Sequence, residues 1–187
     1  TIICSEKFVI PKNVIIPEDF KKFRKNNFIK FYKNFILKIK KNLNFFPQHT
    51  PKYLRKYYPR LSTEINSWID WSLDAISLSR FINAFEEPFK GASTKILGKR
   101  VFLKKVQLHS GEIPNHPFMS GLVSRHDGDW LVVCLADQYS LLIEKVIDEN
   151  GNNIIKKIKE EERFYTPVKK ISQSYSTKII STALGMQ

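Results

Sequence analysis

The sequence predicts an α+β chain: two helices joined by an ordered linker, then a small open barrel of about five antiparallel strands. Three observations carry this expectation. Phe20, Phe23, Phe31, Phe35, Ile39 and Leu43 recur at helical spacing with lysines between them. From Ala92 the period changes to short apolar runs. Turn signals separate those runs, at Gly98, at HDGD (126–129), at ADQ (136–138) and at ENGNN (149–153).

Taken in order, IICSEKFVI (2–10) is β-branched and aromatic and ends at Pro11, so it reads as an extended strand. Pro17 suits a first helical position, and Glu18 and Asp19 fall where the helix dipole favours negative charge. The first helix is expected to run to about residue 43 with its aromatic stripe facing a core. FPQHTP (46–51) breaks it, and a loop-like stretch rich in Tyr, Arg and Lys continues to Trp71. Ser72 reads as the N-cap of the second helix, with Asp74 in the first turn. Ile76, Phe81, Ile82 and Phe85 form its apolar face, and Pro88 and Gly91 end it. Ile96 to Leu108 read as two strands around Gly98. Further strands are expected at 118–124, 130–135 and 140–147. SQSYSTKIISTALGMQ (172–187) shows no clear period and reads as a mobile tail.

The 187 residues suffice for one medium domain or two small ones, and 14 Phe, 7 Tyr and 3 Trp supply core material. Lys plus Arg total 31 against 18 Asp plus Glu, a net charge of +13. That bias fits a polyanionic partner such as RNA, a nucleotide or an acidic membrane surface, and more readily a lysine-rich solvated surface. Cys4 and Cys134 lie far apart in apolar runs and read as buried free thiols, which suits a reducing cytoplasm. No apolar run reaches 18 residues, so no membrane span is expected. The chain opens on TIIC rather than Met and reads as a piece of something longer.

Chemistry-bearing motifs are few. His49, His109, His116 and His126 have no His or Cys at metal-ligand spacing, and no phosphate-binding glycine loop or nucleophile elbow is present. Glu86 and Glu87 at a helix end read as solvated or capping residues. YLRKYYPR (53–60) combines stacking faces with charge, which suits a nucleotide or single-stranded nucleic acid, and more readily an ordered linker packing its tyrosines. GEIPNHPF (111–118) places Asn115 beside His116, a pair able to polarise a carbonyl and move a proton. Pro114 and Pro117 pin the backbone extended, the pattern of a turn entering a strand.

IDWSLDAISLSRFINAFEEPFKGA (69–92) resembles the C-terminal part of the folate-dependent formyltransferases, a family that includes methionyl-tRNA formyltransferase and the sugar N-formyltransferases. The resembling pattern reads here Ile69-Asp70-Trp71, then Phe81, Ala84 and Phe85, then Pro88, Gly91 and Ala92. GKRVFLKK, HPFMSGLV, DWLVV, LLIEKV and ERFYTP are similar to later segments in the same order, over about residues 1–168. The linker 57–71 is closer to the sugar-type members.

The resemblance implies an OB-like C-terminal barrel at 92–170, a helix–linker–helix at 17–91, a remnant strand of a catalytic domain at 1–16 and a tail at 171–187. It implies formyl transfer from 10-formyltetrahydrofolate to an amine, of a nucleotide-linked amino sugar or of an initiator tRNA. The catalytic Asn, His and Asp and the folate site would lie on a domain preceding Thr1. On that reading Asn115 and His116 are not catalytic, and the chain alone carries no catalytic residue and no cofactor. Lys56, Tyr57 and Arg60 are the expected substrate-facing residues. Lys99, Arg100, Lys104 and Lys105 are the candidate nucleic-acid face, to be joined in a tRNA enzyme by Lys156, Lys157 and Lys159. Self-association through apolar surface around Ile2, Ile3, Phe8 and Val9 is also expected. A free-standing basic RNA-binding module is the alternative from another class.

Overall fold

The computed structural model describes residues 5–39, 56, 59–179, 181–182 and 185–186. The chain divides into two compact units, Thr1–Pro59 and Arg60–Gln187. The helix–linker–helix grouping expected over 17–91 is thereby split, its first helix in one unit and its second in the other.

In the first unit, helix α1 spans Pro17–Ile39 and carries the expected Glu18 and Asp19 in its first turn. Phe23, Phe31 and Phe35 are half-buried on one stripe, and the Phe31 and Phe35 rings stack at 6.2 Å. No residue of α1 is fully buried, so the stripe does not form a core of its own. The strand expected at 2–10 is not formed by residues 5–10, and Thr1–Cys4 lie outside the described residues. A strand needs a partner for its backbone groups, and the described residues of this unit offer none. Residues 5–10 instead run beside α1, and Phe8, Ile10, Phe20, Phe23, Phe28 and Phe31 line an apolar groove of about 460 Å³.

The second unit holds the barrel. Its elements are α2 (Thr63–Asn66), α3 (Ala75–Ala84), β1 (Ala92–Ile96), β2 (Lys99–Asn115), β3 (Val123–His126), β4 (Leu131–Cys134), β5 (Asp137–Asp148) and α4 (Val168–Ser176), with a two-residue pair β6 (Ser181–Thr182) and β7 (Gly185–Met186). Strand order is β1-β2-β5-β4-β3, all antiparallel. The α+β architecture and its five-stranded open sheet match the sequence expectation.

Several local signals resolve differently from the expectation. Asp74, not Ser72, caps α3: its carboxylate accepts the Ser77 amide at 2.9 Å. Asp70 holds Ser72 instead, accepting its N–H at 3.0 Å and its hydroxyl at 2.6 Å. The buried face of α3 is therefore Ala75, Leu78, Ile82 and Phe85, while Ile76 is exposed. Phe118 lies in a 3-10 turn (Pro117–Met119), and the next strand begins at Val123. Residues 168–176, straddling the expected start of the tail, form α4. Asn66 Nδ2 donates to the Ser174 carbonyl at 2.7 Å, tying α4 to α2.

The β1–β2 hairpin turns on Leu97 and Gly98, both at positive φ (53° and 73°), with Ile96 paired to Lys99. This is the two-residue turn that matches strand twist. Two edges remain, at β1 and β3, and one segment closes both. Tyr165 bridges Lys95 of β1, while Arg163 bridges Leu122, and the Glu162 carbonyl accepts the Val123 amide at 2.8 Å. Phe164 between them is buried against Trp71, ring centroids 5.9 Å apart. The barrel is thus sealed by irregular chain rather than by a sixth strand. Gly121 lies at the seam with φ +83°, where a Cβ would overlap the Phe164 carbonyl. The core combines the α3 face with Leu103, Leu131, Leu141, Ile143 and Val146.

Inward alternation reverses part-way along two paired strands. On β2, Val101 and Leu103 face the core, and then Val106 does. On β5, Leu141 and Ile143 face in, and then Val146 does. Lys105, at φ 51°, sits at the switch. Its amide donates to Glu86 Oε2 at 2.6 Å, and Glu86 is buried. The carboxylate anchors the bend that curls the sheet. Glu86 is therefore a structural acceptor rather than a solvated helix-end residue.

Among the described residues no helix is long and apolar enough to cross a membrane, and no group of three or more His, Cys, Asp or Glu could hold a metal ion. Cys134 is a buried free thiol, as expected, and Cys4 lies outside the described residues.

Candidate functional site

The candidate basic face on β2 separates into two kinds of residue. Arg100 is half-buried and fully engaged. Its guanidinium lies 4.6 Å from the Trp68 ring centroid and 4.9 Å from that of Phe102. Nη2 donates to Ser93 Oγ at 2.9 Å and Nη1 to Glu64 Oε2 at 3.0 Å. Ser93 is wholly buried and also shares a 2.8 Å hydroxyl contact with Ser67. Lys170 approaches the Trp68 ring at 5.8 Å, and Lys90 reaches Glu64 Oε1 at 3.0 Å. The Lys90 hydrogen bond, followed by the Arg100 charge, holds the Glu64 carboxyl below the usual carboxylate range. Arg100 thus ties the linker (Glu64, Trp68) to β1 and β2.

Lys104 is likewise engaged. It is buried, and its ammonium donates to Glu87 Oε1 at 2.7 Å. That bond, and then the charge itself, lowers the Glu87 carboxyl. Lys145, opposite Lys104 across the β2–β5 ladder, adds a smaller lowering effect. Lys99 and Lys105 are exposed, at the hairpin end and at the bend, about 20 Å apart along the strand. Lys156, Lys157 and Lys159 are exposed around a 3-10 turn at Ile155–Lys157, and Lys156 lies 3.9 Å from Asp129. Arg100 and Lys104 therefore point at carboxylates of this chain, Glu64 and Glu87, rather than joining Lys99 and Lys105 in one uncompensated patch.

Asn115 and His116 each engage a separate backbone partner. His116 is exposed, and its Nδ1 accepts the Phe118 amide at 3.1 Å as the cap of the 3-10 turn. Asn115 Nδ2 donates to the Tyr139 carbonyl at 3.4 Å. His116 holds the turn between β2 and β3, whereas Asn115 ends β2 and pins it to β5. Of the expected substrate-facing residues, Lys56 and Arg60 are exposed, and Tyr57 lies outside the described residues.

Sequence reasoning missed Glu64, Trp68 and Ser93, because their common partner is Arg100 and none is near it in sequence. It also passed over a second concavity, on the face of the sheet opposite the core. Arg125, Val132, Leu142 and Gln107 follow one another across β3, β4, β5 and β2 as successive cross-strand partners. With Leu108, His109 and Trp130 they line a groove of about 300 Å³. The sequence alone places Trp130 only in a strand.

No curated protein matches the chain. Among solved structures, a variant of HypX from Aquifex aeolicus is similar at 19% identity with a TM-score of 0.42, over 80% of this chain. The chain spans only 23% of the length of that protein. The family model described as "Formyl transferase, C-terminal domain" matches residues 62–158. That span begins at the linker residues clasped by Arg100 and takes in α3 and all five strands of the barrel, more than half of the chain. The chain belongs to the formyl transferase C-terminal domain family.

Proposed function

We propose that this chain is the C-terminal portion of an enzyme that moves a formyl group from 10-formyltetrahydrofolate to the amine of a nucleotide-linked amino sugar. Family membership supports the reaction class. The observation favouring a sugar acceptor over tRNA is the engagement of Arg100 and Lys104 by Glu64 and Glu87. A tRNA-gripping face needs cations that exchange counterions with phosphates, and a cation already held by a carboxylate of its own chain contributes little to that exchange.

Formyl transfer needs a donor aimed at the developing oxyanion and a group that takes the amine proton. The Asn115 bond to β5 and the His116 bond that caps a turn support a structural role for both. We therefore assign the chemistry and the folate donor to a catalytic domain outside this chain. Lys56, Tyr57 and Arg60 would face the acceptor. The exposed Phe8, Val9, Ile10 and Phe28 of the first unit support a docking role there, against that domain or a second copy. A cytoplasmic location accompanies this proposal.

The test is formylation by the complete reading frame, with 10-formyltetrahydrofolate as donor and either an amino-sugar nucleotide or charged initiator tRNA as acceptor. Faster turnover of the sugar nucleotide is expected, with none from the 187-residue chain alone. Preferential formylation of the tRNA, with steep salt dependence, would reverse the acceptor assignment. Turnover by the chain alone would overturn the placement of the active site.

A further inference from the structure

The positive charge of the chain is concentrated in its first unit. Thr1–Pro59 holds 14 of the 31 Lys and Arg but 3 of the 18 Asp and Glu, a net charge of +11, which leaves +2 for Arg60–Gln187. From Phe20 to Pro59 the sequence has no acidic residue. Helix α1 carries six Lys and one Arg, and its two acids, Glu18 and Asp19, both sit in its first turn. Among the described residues, Lys21 alone of these cations meets a carboxylate, 3.9 Å from Glu18. The barrel differs, because its Arg100 and Lys104 are met by Glu64 and Glu87.

The two sides of α1 also differ. Phe23, Asn27, Phe31 and Phe35 recur every fourth residue and are half-buried, and the first three line the groove beside residues 5–10. At about 100° per residue, the other side presents Lys22, Lys25, Ile29, Tyr32, Lys33 and Ile36. All six are exposed. Ile29, Tyr32 and Ile36 form an apolar ridge, open to solvent at 46%, 52% and 41%. Lys25 precedes the ridge, and Lys22 and Lys33 flank it.

Cations without carboxylate partners favour a polyanion, and the ridge decides which kind. A nucleic-acid strand is held by rings that stack on its bases. Ile29 and Ile36 have no ring, and Tyr32 is already stacked on Phe28 at 6.2 Å. Aliphatic side chains and a phenol between lysines instead suit the boundary of headgroups and acyl chains, where lysine stems bury and their ammonium groups stay among phosphates. A cluster of this size on such a helix is the pattern that anionic lipid attracts.

We propose that α1 rests this face on an anionic lipid surface, as a reversible contact that does not span the bilayer. Phe8, Ile10 and Phe28, assigned above to docking, line the groove side of the helix. The contact is independent of which amine accepts the formyl group, because it is read by binding and not by turnover.

The experiment sediments the full 187-residue chain with vesicles of phosphatidylcholine alone, or of phosphatidylcholine mixed with phosphatidylserine. Binding to the mixed vesicles, weakening as salt is added, is expected. At about fivefold per lysine near the surface, Lys22→Gln with Lys25→Gln and Lys33→Gln should weaken partitioning by about a hundredfold. Ile29→Ser with Ile36→Ser keeps every charge and should weaken it by about tenfold. All five positions are exposed, and circular dichroism checks that each variant stays folded. Equal sedimentation with both kinds of vesicle would overturn the proposal, as would unchanged binding by either variant. Failure to bind the mixed vesicles would also overturn it, and binding of a labelled oligouridylate in their place would make the face a nucleic-acid contact. Pelleting without vesicles that is lost in the isoleucine variant would give the face to a second copy of the chain instead.

Discussion

Replacing Arg100 by alanine separates a structural from a nucleic-acid role for a cation held by two rings, a hydroxyl and a carboxylate. The guanidinium sits against two rings, Trp68 at 4.6 Å and Phe102 at 4.9 Å, each contact worth about 1 kcal/mol in this half-buried setting. Its bond to buried Ser93 adds about 1 kcal/mol net. Glu64 is 54% exposed at its side chain and would be resolvated, so its pair with Arg100 contributes at most about 0.5 kcal/mol. Ser93 keeps the Ser67 hydroxyl and is not orphaned. The expected loss is about 3 kcal/mol, which for a chain of this size lowers Tm by about 6–12 °C. Arg100→Lys should recover little of it, because an ammonium keeps the charge but not the planar stack. Thermal unfolding followed by circular dichroism measures the shift, and a gel-shift titration with RNA measures the alternative. An unchanged Tm with loss of RNA binding would refute the reasoning and return Arg100 to a nucleic-acid face.

Gly121→Ala should destabilise the second unit by more than about 3 kcal/mol, since it combines positive φ with overlap on the Phe164 carbonyl. Soluble yield and Tm report it. Leu97→Asn should raise stability by about 0.5–1 kcal/mol by easing a left-handed turn position at an exposed residue, read as a higher denaturant midpoint. Glu64 and Glu87 both have lowered folded-state pKa values, so their stabilising contribution is present above the ordinary value of 4.5 and disappears as pH falls below it. Tm should therefore fall from pH 5 toward pH 3, with a shallower slope in Glu87→Gln. An identical slope in that variant would remove Glu87 from the account.

The sequence by itself determined what is local. Apolar residues at helical spacing marked α1 and α3, the change of period at Ala92 marked the barrel, and Gly98 marked its first hairpin. The ordered motifs from Ile69 to Pro167 carried the family resemblance, which the match over residues 62–158 establishes. Pro117 after His116 marked a turn, because proline restricts backbone geometry whatever packs nearby, whereas Pro114 lies inside β2.

The tertiary structure decided whatever depends on partners distant along the chain. Helix α4 is short, with no buried residue, and is tied down by Asn66, 108 residues away from Ser174. Glu86 reads as a surface acid until the bend at Lys105, 19 residues on, presents an amide to it. Arg100 and Lys104 looked like part of a cationic patch, since composition counts charges but not the carboxylates that meet them. The barrel seam at 162–165 pairs with both β1 and β3 although nothing in its sequence marks a strand. The outer groove joins residues from four strands at one rung of the ladder. Strand register alone brings them together, and register is set by which face is buried and how the turns fit.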